Sequence, residues 1–288
     1  MSKKNNLFSA SLLIVSILTL TISTSAYTPN PTIQDSNRVN PKVRTIVLDA
    51  GHGGRDDGAV GRVGKEKNVV LDVALKLGKR IEKEMPDVKV IYTRKTDVFI
   101  PLYERPAIAN KHNADLFISI HANSADSDQR VKGRNGRYTT TTVRKPSVKG
   151  TETFVLGYSR LANQDVAIRE NASILMEENY KDNYGGFDPK DPSSMIVFQI
   201  LKSQFRRESI RLASYMQDEY VRTSRNNRGV QELALAVLKT AGMPAVLTEI
   251  GFISSPEEEE YMLSDAGQEE IVSNLFNAIK TYKTSADR

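Results

Sequence analysis

The sequence predicts an α/β fold, a single layered domain beginning near residue 43, and three observations carry that reading. Short apolar runs at residues 45–48, 88–92, 116–120 and 245–250 read as buried strands. Stretches of helical spacing separate them. No internal repeat breaks this alternation, and 39% hydrophobic residues beside 26% charged ones suffice for a sizeable core.

Taken in order, strand 45–48 is followed by a helix over 66–85, where Val69, Val73, Leu77 and Ile81 share one face. A strand at 88–92, a helix at 102–113 and a strand at 116–120 come next. Residues 153–156 read as another strand ending in glycine, and 160–180 as helix, closed by the turn-rich NYGGFDPKDPSS. A long helix is expected from about 194 to 221, with Leu201, Phe205, Leu212, Met216 and Tyr220 along one side. Residues 234–238 and 245–250 read as the last strands. Ser255-Pro256 then opens a final helix with a capping serine and a first-turn proline. The acidic run from Glu257 to Glu260 suits that first turn, where the helix dipole favours negative charge.

Ahead of the domain, MSKKNN supplies positive charge, LFSASLLIVSILTLTIS an apolar stretch, and small residues lead to Ala26. This is the pattern of an export signal over residues 1–26, with an uncleaved anchor as the alternative. Residues 27–42 are polar and proline-bearing, and read as a linker. No later segment is long and apolar enough to span a bilayer. The net charge of +5 falls by two if Lys3 and Lys4 leave with the signal, too little to argue for nucleic acid. Cysteine is absent, which excludes disulfides, thiolate ligands and cysteine nucleophiles; any metal must be held by nitrogen and oxygen.

One of three histidines lies in TIVLDAGHGGRDDGAVG, in a glycine run just past an apolar strand. A second, His121, ends the strand in ADLFISIHANSAD. Two imidazoles at the carboxyl ends of two strands can face one site. Glu66 opens the first helix 14 residues after His52, on a chain that can fold back over that site. Two neutral imidazoles and one carboxylate suit zinc and leave a position for water. Hydrolysis then needs a general base acting on the zinc-bound water, and Glu249, closing the apolar stretch in MPAVLTEIGFISSPEEE, is the best placed.

The stretches LDAGHGGRDDGAVG, KEKNVVLDVALKL, TRKTDVFIPLYERPAIANKHNADLFISIHAN and MPAVLTEIGFISSPEEEEYM, in this order, resemble the zinc-dependent N-acetylmuramoyl-L-alanine amidases, bacterial cell-wall hydrolases. The resemblance implies a twisted, mostly parallel sheet flanked by helices, with one zinc ion at the carboxyl ends of the strands. It also implies cleavage of the amide between N-acetylmuramic acid and L-alanine in peptidoglycan. By position, His52, Glu66 and His121 carry over as metal ligands and Glu249 as the catalytic glutamate. A zinc peptidase acting within the stem peptide would use the same residues, and only the product separates the two. An intact base beside a complete ligand set argues against a non-catalytic wall-binding protein.

Other residues stay open between roles. Asp49 buttresses a ligand or caps the loop; Arg94 pairs with Asp49 or Asp97; Asn123 touches substrate or closes a strand-end turn. His112 reads as exposed. Between residues 129 and 150 lie seven basic residues and no acidic one, either a mobile solvated loop or a rim attracting wall carboxylates. Residues 129–192 form an insertion. In some exported amidases of this family such an insertion covers the zinc with a helix and an acidic side chain, until a protein activator displaces it. Glu152, Glu170, Glu177 and Glu178 are the carboxylates available here for that role. Export with this chemistry points to the periplasm, or to the outer cell surface.

Overall fold

In a computed structural model, residues 42–132, 134, 136–157, 164–184 and 205–287 are described. The predicted signal and linker lie outside them, as does the start of the predicted long helix.

A six-stranded sheet organises the domain. Its strands are β1 (Thr45–Ala50), β2 (Lys89–Tyr92), β3 (Leu116–Asn123), β6 (Thr151–Leu156), β7 (Asn227–Leu233) and β8 (Ala245–Phe252), in the order β2-β1-β3-β8-β6-β7. All neighbours pair in parallel except β6 with β8, so the sheet is mostly parallel as expected. Being covered on both faces, β1, β3 and β8 are apolar runs with little alternation in burial.

Alternation still sorts side chains between the two faces. Ile46, Leu48, Ile118, Ile120, Val246 and Ile250 pack with helices α1 (Glu66–Glu84), α5 (Arg206–Arg222) and α7 (Asp265–Ala286). Val47, Phe117, Phe154 and Leu247 face the other way, toward Ala109 of α2 (Glu104–Lys111), Ile174 and Leu235. Each fully buried aliphatic side chain of this kind contributes about 1.5–3 kcal/mol. The second face also carries Asp49, Ser119, His121 and Glu249, so these polar residues of three neighbouring strands share a side.

Several expected elements differ. The helix expected over 160–180 is instead α3 (Gln164–Asn171), a 3₁₀ turn (Ala172–Met176) and α4 (Tyr180–Asn183), with Asn179 at φ 56° breaking the run. Residues 234–238 are not a strand: β7 precedes them and Ala236–Leu238 is a 3₁₀ turn. The final helix is two helices, α6 (Pro256–Leu263) and α7, parted where the Ser264 hydroxyl accepts from Gly267 N at 3.0 Å. Ser255 makes no side-chain cap. Two of the first-turn carboxylates instead bond distant backbone: Glu259 accepts from Val63 N and Gly64 N, and Glu258 from Gly150 N. The basic tract is no shapeless loop. It contains an antiparallel ribbon of β4 (Ser127–Lys132) and β5 (Tyr138–Val143), whose threonine-rich second strand suits an extended backbone.

Candidate metal centre

At the end of β1 the chain turns so sharply that His52 takes φ 58°, a left-handed conformation that costs roughly 1–3 kcal/mol for a non-glycine residue. Surrounding bonds hold it there: Arg105 Nη2 donates to the His52 carbonyl at 2.8 Å, and His52 Nδ1 bonds Asp56 Oδ2 at 2.8 Å. The glycines on either side answer for crowding. A Cβ on Gly51 would lie 2.4 Å from His121 Nε2, and one on Gly58 would lie 2.6 Å from both Glu66 Oε2 and the His52 ring. The glycine run therefore lets two imidazoles and a carboxylate close on one point.

The convergence is tight. Glu66 Oε1 lies 3.1 Å from His52 Nε2 and 3.0 Å from His121 Nδ1. Glu170, from α3, brings its Oε2 to 2.9 Å from His121 Nδ1 and 3.5 Å from His52 Nε2. Backbone amides aim Glu66, with Ala59 N donating to Oε2 and Ala122 N to Oε1. His52 Nε2, His121 Nδ1 and Glu170 Oε2 are buried without a hydrogen-bond partner among the described residues. Buried polar atoms left this way, from residues with ligand atoms all within 4.8 Å of one another, fit a divalent cation; two imidazoles with carboxylates are a donor set zinc accepts.

Electrostatics agree. Burial disfavours charge on His52, but Glu66, Asp56 and Glu170 outweigh it and push its pKa well up. His121 likewise rises to about 9 under Glu170 and Glu66 despite its burial. Burial opposes ionisation of Glu66, yet the two histidines hold it down to about 2. These groups bind positive charge, and a metal cation would take the place of the protons. Glu249 sits opposite His121 in the β3–β8 register, fully buried, and neither carboxyl oxygen has a hydrogen-bond partner among the described residues. Burial and the neighbouring Glu170 carboxylate push its pKa well above the usual range.

The N-acetylmuramoyl-L-alanine amidase family profile matches residues 46–281. The chain belongs to that family. Over 244 residues it is 31% identical to the amidase AmiA of Escherichia coli K12, covering 83% of this chain and 76% of AmiA. It is 34% identical to AmiC of Escherichia coli O6:H1, covering 82% of this chain but only 52% of that protein. Among solved structures, the catalytic domain of the amidase CwlV from Bacillus (Paenibacillus) polymyxa matches with a TM-score of 0.57 at 25% identity, over 83% of this chain and 97% of that domain.

Around this amidase centre the other singled-out residues take distinct places. Asp49 is fully buried and accepts from Thr93 Oγ1 (2.6 Å), Ser119 Oγ (2.6 Å) and Arg105 Nη1 (2.9 Å). Burial works against its charge, and Arg105 with the two hydroxyls overcomes it, lowering the pKa. The expected Arg94 pairing with a carboxylate is not what forms: its guanidinium donates to the carbonyls of Ala50, Gly51, Lys67 and Thr96. Those carbonyls need a donor with several N–H groups, and Arg105 already serves Asp49. Asn123 is buried, donating to Glu152 and accepting from Arg169 Nη2 at 2.6 Å. His112 is exposed.

Of the four insertion carboxylates, only Glu170 joins the cluster. Glu152 is engaged by Asn123, Gln231 and Arg228. Glu177 accepts from Tyr184 Oη and Leu102 N, and Glu178 is exposed. Sequence reasoning passed over Asp56, Arg105 and Arg169. Asp56 had a signal, four residues beyond His52; the two arginines had none, because their partners are distant in the chain. Asp56 fixes the proton of His52 on Nδ1 and leaves Nε2 free to bind. Replacing it with Asn is expected to weaken metal binding about 10–100-fold in a chelator competition. Unchanged affinity would reduce the contact to loop packing.

Proposed function

We infer that this chain hydrolyses the amide joining N-acetylmuramic acid to the first L-alanine of the peptidoglycan stem peptide, in wall remodelling or daughter-cell separation. Family membership supports the reaction. The observation that carries the assignment of roles is the buried meeting of His52, Glu66 and His121 beside Glu249, which has no partner among the described residues.

His52, Glu66 and His121 would hold one zinc ion. Bound there, zinc supplies a Lewis acid that polarises the amide carbonyl and brings the pKa of water to roughly 7. Glu249 takes the proton from the attacking water and delivers it to the departing alanine nitrogen as the C–N bond breaks. Asp56 keeps His52 in the binding tautomer, and Asp49 with Arg105 holds the backbone that presents it.

Glu170 is the inhibitory carboxylate of this reading, with α3 covering the centre until a protein activator moves it. The support is its approach to both histidines and the bonds that seat its segment. Arg169 donates to Ser124 O, Asn171 bonds Ala234 O and Ala236 N, and Arg55 donates to Met176 O. Glu170→Ala is expected to raise activity about tenfold at full zinc loading, the direction expected when a competing state loses its contacts. A zinc-loaded Glu170→Ala protein no more active than the parent would remove autoinhibition.

The layout proposed with this function is an export signal over 1–26, a linker over 27–42 and a catalytic domain over 43–288, working in the periplasm. Among the described residues no helix is long and apolar enough to cross a membrane.

Mass spectrometry of peptidoglycan digests tests the reaction. Chelator-sensitive release of whole stem peptides beginning at L-alanine is the expected result. Shortened stems still attached to glycan would assign a peptidase instead.

A further inference from the structure

The ribbon of β4 and β5 springs from the catalytic edge of the sheet. Its first residue, Ser127, follows the end of β3 by four positions, and β3 carries His121. Its base is fastened: Ala125 N donates to Ser254 Oγ at 3.0 Å beside the end of β8, while Asp126 accepts from Arg144 at 2.7 Å and Lys145 N at 2.9 Å. Beyond the base, every residue of both strands except Ser127 and Val143 is exposed. A six-residue strand reaches about 20 Å. A structured, exposed arm is therefore anchored at the rim of the centre.

The arm has a charged side. Antiparallel register pairs Arg130 with Thr140 and Lys132 with Tyr138, and directly paired residues share a face. The Arg130 guanidinium carbon lies 5.1 Å from the Tyr138 ring centroid and the Lys132 ammonium 5.9 Å, so both cations lean on one ring. The opposite face, with Gln129, Val131, Thr139, Thr141 and Val143, is uncharged. Arg134 and Arg137 add exposed cations at the tip. The only carboxylate on the strands, Asp128, sits near the base and accepts from Thr142 Oγ1 at 2.8 Å.

We propose that the outer half of this ribbon, through Arg130, Lys132, Arg134 and Tyr138, is a docking arm for the carboxylates of stem peptides neighbouring the one being cleaved. The proposal rests on the peptidoglycan reading above, since a wall polymer offers free carboxylates repeatedly along its length. Three exposed cations, carried on a ribbon rooted at the rim of the site, complement such a polyanion and raise its local concentration there. Each surface pair is weak alone, and the repetition of both partners supplies the avidity.

The test is co-sedimentation of the full chain with purified insoluble peptidoglycan at low and high salt, all proteins carrying Glu249→Gln so that the polymer stays intact. Combined Arg130→Ser, Lys132→Ser and Arg134→Ser is expected to weaken pelleting about tenfold at low salt, with the difference closing at high salt as screening removes the attraction. A charge-matched control on exposed cations elsewhere, Lys79→Ser, Lys89→Ser and Lys111→Ser, is expected to pellet like the parent. Equal loss in both sets, or none in the ribbon set, overturns the proposal. So does a ribbon effect on vesicles of anionic phospholipid with none on peptidoglycan. Stem-peptide release by a zinc-loaded Glu170→Ala protein with Glu249 intact is scored separately, so ribbon-dependent pelleting without release from that uncovered centre would sink the amidase reading and keep the arm.

Discussion

Glu249→Gln is expected to cut stem-peptide release by about 10²–10⁴-fold, the usual contribution of a positioned general base, while zinc content and folding stay at parental levels. The substitution keeps size and shape. Glu249 stands outside the cluster of His52, Glu66, His121 and Glu170, so an amide there subtracts no ligand. It also breaks no existing bond, because neither oxygen has a partner among the described residues. Loss of rate with metal retained separates a proton carrier from a ligand; loss of both together would mean that Glu249 binds the ion. A variant within a few-fold of the parent would move the base to another residue.

Arg105→Ala is expected to cost about 3–5 kcal/mol of stability, the range for stripping one partner from a buried ion pair. For a domain of this size that appears as a fall in Tm of roughly 10 °C by circular dichroism. Arg105 is 1% exposed and Asp49 0%, so solvent cannot replace what is lost. The same guanidinium also serves the carbonyls of Ile100, Ala50 and His52, and the last belongs to the residue in left-handed conformation. Zinc affinity should therefore drop with stability. Arg105→Met combined with Asp49→Asn should recover part of the stability, because the bare buried charge is gone. A drop below 1 kcal/mol for Arg105→Ala would show that the pair is solvated or replaceable.

Much of this arrangement is legible along the chain. Apolar runs and helical spacing are local, so β1, β3, β8 and α1 stand where the residues foretell them. His52 follows β1, Glu66 opens α1, and His121 and Glu249 lie in the carboxyl-terminal halves of β3 and β8, which in a mostly parallel sheet meet toward one edge. Where local rules compete, the reading slips. Residues 234–238 are apolar enough for a strand, but burial alone does not distinguish a strand from a 3₁₀ turn packed beneath the sheet. The basic tract looks unstructured by composition, yet β-branched residues pair it into a ribbon.

By itself, the sequence determined the fold class, which follows from short-range pattern, and brought forward His52, Glu66, His121 and Glu249 as candidates. Which carboxylate of the insertion reaches the centre is a different kind of fact. Glu170 is there because Arg169 binds Ser124, 45 residues away, and Asn171 binds Ala234, 63 residues away, while Leu102 holds Glu177 aside. The Asp49–Arg105 pair, 56 residues apart, is likewise invisible to any local window. Such contacts form only once the sheet and its helices have packed. The tertiary structure alone decided them.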